Sequence, residues 1–149
     1  MRAVIQRVSQ ASVEVEGQVV GRIAAGLVVL LGVAQGDAEP DLLYVVDKIR
    51  TLRIFADGTG KMNRAVMDVG GALLVISQFT LLSETAKGRR PGFDRAAPPD
   101  DARRWYEQAI SRWKAAGLPV ETGVFGAHMQ VTLTNDGPVT FILGSRREP

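Results

Sequence analysis

Gly70-Gly71-Ala72-Leu73-Leu74-Val75-Ile76-Ser77-Gln78-Phe79-Thr80-Leu81-Leu82 joins a glycine pair to one of the two long apolar runs of the chain. Its apolar run is too continuous for a strand with one wet face, so residues 72–82 are expected to form a strand covered on both sides. Leu27-Val28-Val29-Leu30-Leu31-Gly32-Val33 is a second such run, bounded by glycines, and is expected to be central. Where the first run stops, small polar residues begin, and strand ends are where a rigid sheet can hold a site.

Residues 3–8, 11–16 and 18–23 alternate or are rich in valine and isoleucine, and Gly17 supplies a turn, which predicts a meander. Pro40, followed by Leu42, Leu43, Val45, Val46 and Ile49 at helical spacing, predicts a helix that starts within 37–40 and ends near Leu52. A short strand at 53–56 leads into the turn Asp57-Gly58-Thr59-Gly60-Lys61. Residues 83–99 show no periodicity and carry Pro91, Pro98 and Pro99; a loop of that length is more often a binding element than a connector. A second helix begins at Asp100, bears Ala102, Trp105, Tyr106, Ala109, Ile110 and Trp113, and stops at Gly117 and Pro119, with both tryptophans expected in the core. Strands at 120–123, 128–134 and 139–143 follow, the last two joined by a turn at Asp136-Gly137-Pro138. This order predicts an α/β fold: a mixed sheet, parallel and antiparallel, layered with two helices in a single domain over 1–149.

The chain has 149 residues, 46% hydrophobic and 23% charged, enough for one domain that buries about two thirds of its unfolded surface. Cysteine is absent, which excludes disulfides and thiolate metal sites and fits a reducing compartment. The first residues lack the apolar core of a signal peptide, and the longest apolar stretch, 26–34, is about half a membrane span, so a cytoplasmic protein without membrane contact is expected. Net charge is only +2, but Lys87, Arg89, Arg90 and Arg95 share one loop, and Arg103 and Arg104 open the next helix. That is either a phosphate-facing patch or a solvated loop whose arginines pair with local carboxylates.

One histidine and no cysteine exclude a Cys/His dyad and a histidine-rich metal site. A Ser-His-Asp triad would have to use His128, which begins an apolar strand and reads as an ordinary histidine. Nucleotide-cofactor and zinc-finger spacings are missing. There remain Ser77, Gln78, Thr80, Asn135, Thr140 and the peptide groups around Gly137-Pro138. Thr80 is the candidate nucleophile, yet no base accompanies it. An enzyme built this way acts on an already reactive bond, such as an activated ester, by positioning and oriented donors. No metal or cofactor is expected. The Gly137-Pro138 bond is open to a cis form, with a plain hairpin turn as the alternative.

Ser77-Gln78-Phe79-Thr80-Leu81 taken with Asn135-Asp136-Gly137-Pro138-Val139-Thr140 resembles the signature pair of the D-aminoacyl-tRNA deacylases. The likeness extends in order and spacing through Arg2 to Val8, Ala11-Ser12-Val13, 26–33, Gly60-Lys61-Met62-Asn63, Lys87-Gly88-Arg89-Arg90-Pro91-Gly92-Phe93 and Met129-Gln130-Val131. The resemblance implies the three-layer α/β/β deacylase-type fold and a homodimer that hydrolyses the ester between a D-amino acid and the terminal adenosine of tRNA. It implies that Ser77, Gln78, Phe79 and Thr80 line the reacting pocket, and that water assisted by the ribose 2′-hydroxyl attacks. It further implies that a cis Gly137-Pro138 enters the partner's pocket to reject L side chains, that Asn135 and Met129 assist substrate binding, and that Lys87, Arg89 and Arg90 face RNA. Glycyl esters, lacking a side chain, would pass this filter. Arg89 and Gly92 depart from the common loop pattern, and 144–149 is a short extra tail. A non-catalytic tRNA-binding module and an esterase for small D-amino acid esters are the alternatives.

Overall fold

The computed structural model describes residues 1–147. Along the chain run β1 (Arg2–Val15), β2 (Gln18–Ile23), β3 (Gly26–Gly32), α1 (Glu39–Thr51), β4 (Phe55–Ala56), β5 (Met62–Arg64), β6 (Ala72–Ser77), a 3-10 turn (Phe79–Leu82), α2 (Pro99–Ala115), β7 (Val120–Thr122) and β8 (Gln130–Gly144). Five strands lie in the order β2-β1-β3-β6-β7, and β8 pairs with β1. The β3/β6 and β6/β7 pairs are parallel and the pairs of β1 antiparallel, so the sheet is mixed as the element order predicts. β4 and β5 form a separate hairpin.

Alternate residues of the two apolar runs go to opposite layers. Leu27, Val29, Leu31, Leu73 and Val75 pack with Leu42, Val45 and Ile49 of α1 and Tyr106, Ala109 and Trp113 of α2. Val28, Leu74 and Ile76 instead meet Val8, Ala11, Val13 and Ile23, where β1 and β2 cover the other face. Helices, central strands and outer strands make the three layers, and both central strands are buried on both faces. α1 starts where expected: the Asp41 carboxylate accepts the Ala38 amide at 2.9 Å and Pro40 occupies the first turn. Buried Asp37 ties the start of this helix to its surroundings, accepting the Ala34 amide at 2.7 Å, the Met1 ammonium at 2.7 Å and Arg146 at 3.1 Å.

Four local expectations change. Residues 3–16 do not break into two strands: β1 is continuous, pairing with β3 in its first half and β2 in its second. The strand expected over 72–82 stops at Ser77, because Gln78 leaves the extended region (φ −141, ψ 79) and the chain coils into the 3-10 turn. Asp136-Gly137-Pro138 is not a hairpin turn. Both flanking segments pair with β1, from Gln130 opposite Glu14 to Gly144 opposite Arg2, and residues 136–139 bulge out of that ladder. Of the two tryptophans, Trp113 is fully buried, its indole donating to the Val46 carbonyl at 3.1 Å, while Trp105 is half-buried against the core. Part of the expected tail, Glu148 and Pro149, lies outside the described residues.

Candidate active site

The carboxyl end of β6 opens into a cavity of about 660 Å³, with Ser77, Gln78 and Phe79 on one wall. Phe93 and residues 96–99 of the long loop form a second wall, and Phe125, His128 and Met129 a third. This is the end of a parallel strand pair, where the backbone leaves the sheet and its polar groups become available.

Three kinds of group face that space. Two rings, Phe79 and Phe93, stand edge to face with centroids 5.1 Å apart, and both remain exposed, 53% and 40%. Exposed aromatic rings at a cavity mouth suit stacking against a nucleobase. The Ser77 hydroxyl has no protein partner among the described hydrogen bonds, so it is available to a ligand. The amides of Phe79 and Thr80, first in the 3-10 turn, likewise have no backbone acceptor among the described residues. The turn is anchored from behind, since the Gln78 amide donates to Leu31 at 2.8 Å and Arg2 donates to the Leu81 carbonyl at 3.1 Å.

Thr80 lies one step past the cavity wall, its hydroxyl accepting from the Gln78 side-chain amide. Among the described residues no base reaches it: His128 meets only the Gln130 amide there, at 3.3 Å, and no carboxylate. Among the described residues no cluster of three or more histidines, cysteines or carboxylates is grouped as a metal would require. Tyr106 backs the site: its hydroxyl donates to Val75 at 3.1 Å, and burial pushes its pKa up to about 12.

The expected site residues therefore divide into three places. Ser77, Gln78, Phe79 and Met129 converge on the cavity, with Thr80 beside them. Lys87, Arg89 and Arg90 are exposed in the loop that also supplies Phe93; that loop is cinched by the Glu84 and Gly92 backbones, bonded at 2.8 and 2.9 Å. Asn135, Gly137 and Pro138 lie on the β8 bulge, outside the cavity walls of the same chain. The Gly137-Pro138 peptide is cis, as the resemblance implies. Phe93 and Phe125 were not singled out from sequence. Phe93 closes the Lys87 to Phe93 segment and could have been read from it, whereas nothing local marks Phe125.

The model of the D-Tyr-tRNA(Tyr) deacylase family matches residues 4–144. A D-aminoacyl-tRNA deacylase of Desulfitobacterium hafniense is 59% identical over 147 residues, 99% of each chain, and one of Thermosipho africanus 55% over the same length and coverage. One of Geobacter sulfurreducens is 53% identical over 146 residues, 98% of this chain and 96% of that one. Among solved structures, the c-Myc DNA Unwinding Element Binding Protein superposes with a TM-score of 0.90 at 41% identity, covering 96% of this chain and 97% of that one. A probable eukaryotic D-amino acid tRNA deacylase shares the fold at a TM-score of 0.76 and 16% identity, covering 95% and 97%. Fold and relatives together define the class, a hydrolase of ester bonds. The chain belongs to the D-Tyr-tRNA(Tyr) deacylase family.

Proposed function

We propose that the cavity at the end of β6 receives the 3′-terminal adenosine of D-aminoacyl-tRNA and that residues 1–149 act as one deacylase domain releasing tRNA and the free amino acid. The observation that carries this reading is the convergence of two exposed rings with an unengaged hydroxyl and two unengaged amides, and no nucleophile with its base. The rings stack the adenine. The Ser77 hydroxyl and the Phe79 and Thr80 amides hold the ester carbonyl and stabilise the oxyanion that develops on it. Water, assisted by the neighbouring ribose 2′-hydroxyl, bonds to the carbonyl carbon as the carbon–oxygen bond to the ribose breaks. The departing 3′-oxygen takes up a proton that the water gives up. An aminoacyl ester is reactive enough for this modest machinery, and no metal or cofactor enters.

Chiral choice comes from a second copy of the chain. Gly137-Pro138 is exposed on the bulge of β8, an edge strand that also exposes Val131 (38%) and Ile142 (65%). A long edge with apolar side chains invites a partner. In the homodimer each Gly137-Pro138 enters the other cavity, where its carbonyls take the substrate ammonium and its backbone excludes an L side chain. Asn135 supports this loop, and Met129 the wall that faces it. Lys87, Arg89 and Arg90 take RNA phosphates. Glycyl-tRNA passes the same filter. The substrate is made in translation, which puts the work in the cytoplasm; among the described residues no helix is long and apolar enough to cross a membrane.

The deciding experiment mixes the purified protein with D-tyrosyl-tRNA and L-tyrosyl-tRNA and follows amino-acid release. Cleavage of the D ester with the L ester spared is expected. Retention of tRNA without cleavage of either would overturn the reading in favour of a binding module, and equal cleavage of D-tyrosyl-tRNA and a simple D-tyrosine ester would favour a small-ester esterase.

A further inference from the structure

The segment Gly60-Lys61-Met62-Asn63 has no part in the cavity, and the function described above does not use it. It builds the turn and outer strand of the β4–β5 hairpin, where residues 61–64 are all exposed and Met62 is 49% exposed. One guanidinium fixes where that hairpin stands. Arg7 Nη1 donates to the Ile54 carbonyl at 2.8 Å, at the base of β4, and Arg7 Nε donates to the Asp136 carbonyl at 2.9 Å, at the start of the bulge. Arg7 is itself mostly buried, 14% exposed, so the hairpin and Gly137-Pro138 are held side by side.

The hairpin carries cations without counter-charges. Arg53 Nη1 donates to the Asn63 side chain at 3.2 Å, Arg64 donates to the Asp68 carbonyl, and the Lys61 ammonium has no partner among the described residues. Among the described residues none of the three has a carboxylate within 4.0 Å. Several surface arginines elsewhere do, such as Arg50 with Asp47 at 2.9 Å and Arg112 with Glu39 at 2.9 Å, whereas Arg89 and Arg90 of the other loop share the hairpin's lack of one among the described residues. The hairpin's own carboxylates are engaged within their turns. Asp57 accepts the Thr59 hydroxyl at 2.7 Å and the Thr59 and Lys61 amides at 2.8 and 3.1 Å, and Asp68 accepts the Ala65 amide at 2.8 Å. Unpaired cations on an exposed strand suit a polyanion whose phosphates lie outside the protein.

We infer that the β4–β5 hairpin is an RNA-gripping element that works in trans: Arg53, Lys61 and Arg64 of one subunit contact phosphates of the single-stranded tRNA end whose ester sits in the other subunit's cavity. This rests on the proposed entry of Gly137-Pro138 into the partner's cavity, because the hairpin travels with that loop through Arg7. The RNA end is then held from two sides, by Lys87, Arg89 and Arg90 of the receiving subunit and by the hairpin of the donating one.

The test compares the unmodified protein with Arg53→Gln/Lys61→Gln/Arg64→Gln and with Lys61→Glu, whose side chain makes no contact that folding needs. For the triple variant, tRNA affinity is expected to fall about tenfold or more near 0.1 M salt, and the slope of log K against log salt to shrink by about 2. Hydrolysis of D-tyrosyl-adenosine, which lacks the RNA phosphates, is expected to stay unchanged. Unaltered tRNA affinity, or equal losses on both substrates, would overturn the inference. Purified mixed dimers of the triple variant with a subunit whose cavity is filled by Ser77→Phe separate trans from cis action. Recovery to about half the wild-type rate on D-tyrosyl-tRNA is expected, and no recovery between parents that are both dimeric would refute action of the hairpin in trans. A monomer for the unmodified protein by light scattering would instead remove the two-subunit reading and this inference with it.

Discussion

The side-chain carboxamide of Asn135 closes on both backbone groups of Val139, donating from Nδ2 to the Val139 carbonyl at 3.0 Å and accepting the Val139 amide on Oδ1 at 3.2 Å. A second donation, to the Arg7 carbonyl at 2.8 Å, fastens the clasp to β1. Residues 136–139 are thereby held out of the β1/β8 ladder as a fixed bulge, and Asn135 shapes the loop that carries Gly137-Pro138.

Replacing Asn135 with alanine removes three hydrogen bonds worth about 1 kcal/mol each. The expected outcome is a fall of about 10- to 100-fold in kcat/KM on D-tyrosyl-tRNA together with a smaller D-to-L rate ratio, because the loop proposed to reject L side chains loses its shape. Asn135→Asp is expected to do no better, since a carboxylate would face two carbonyl oxygens with nothing to donate. An unchanged D-to-L ratio in Asn135→Ala would show that the bulge does not set chirality.

Thr80 accepts a hydrogen bond from Gln78 and has no base beside it among the described residues. In single-turnover assays Thr80→Ala is expected to keep its rate within about tenfold of wild type, the scale of a lost positioning contact. Loss of about 10⁴-fold or more with the fold intact, the scale of a missing nucleophile, would restore a covalent mechanism.

What was legible in the chain follows from which signals are local. The runs of 27–33 and 72–77 lack a polar face, and their side chains alternate between helix layer and outer layer. Pro40 and the spacing of Leu42, Val45, Val46 and Ile49 likewise mark α1 and its buried stripe. The bend at Gln78 was invisible because Leu81 and Leu82 are as apolar as the strand before them, and the bend is fixed by the contact of Gln78 with Leu31 across the sheet. Asn135-Asp136-Gly137-Pro138 has turn composition, so residue preferences alone give a hairpin. Only the pairing of β1 with both flanking segments makes it a bulge in one strand. In the site, Ser77, Gln78, Phe79 and Met129 came from motifs, whereas Phe125 reaches the cavity by packing that no neighbour in sequence announces.

Tyr106 predicts an alkaline limit. Its pKa is raised from 10.0 to about 12 by burial, helped by the charge of Glu107 and opposed by a hydrogen bond with Thr122. Below pH about 10 the phenol is protonated in both folded and unfolded chains, and its contribution is fully present. Between about 10 and 12 the unfolded chain loses the proton first, so stability falls as pH rises, by about 2 to 3 kcal/mol in all. Urea midpoints followed from pH 8 to 12 are expected to drop less steeply in Tyr106→Phe than in wild type, with Tyr106→Phe about 1 kcal/mol weaker at pH 8 for the lost bond to Val75. Parallel curves would exclude Tyr106 as the titrating group.

Gly32 ends β3 directly behind the site, and a Cβ there would lie 2.8 Å from the Gln78 carbonyl oxygen and 2.6 Å from a Leu82 methyl. The carbonyl cannot retreat freely, because the Gln78 amide is bonded to Leu31. Gly32→Ala therefore pushes the 3-10 turn outward and displaces the Phe79 and Thr80 amides. Overpacking of this kind costs about 1 to 3 kcal/mol, but a displacement approaching 1 Å at the reacting groups costs about 100-fold in rate. The expected result is a soluble protein with a lowered melting temperature and kcat/KM reduced far more than the melting shift suggests. Gly123→Ala provides the contrast: its Cβ meets the end of the Met129 side chain, which can swing aside without moving backbone. Its rate is expected to stay within about tenfold of wild type. Should Gly32→Ala retain full activity on D-tyrosyl-tRNA while Gly123→Ala loses it, the reacting ester would lie against the Met129 wall and not against the turn that follows Ser77.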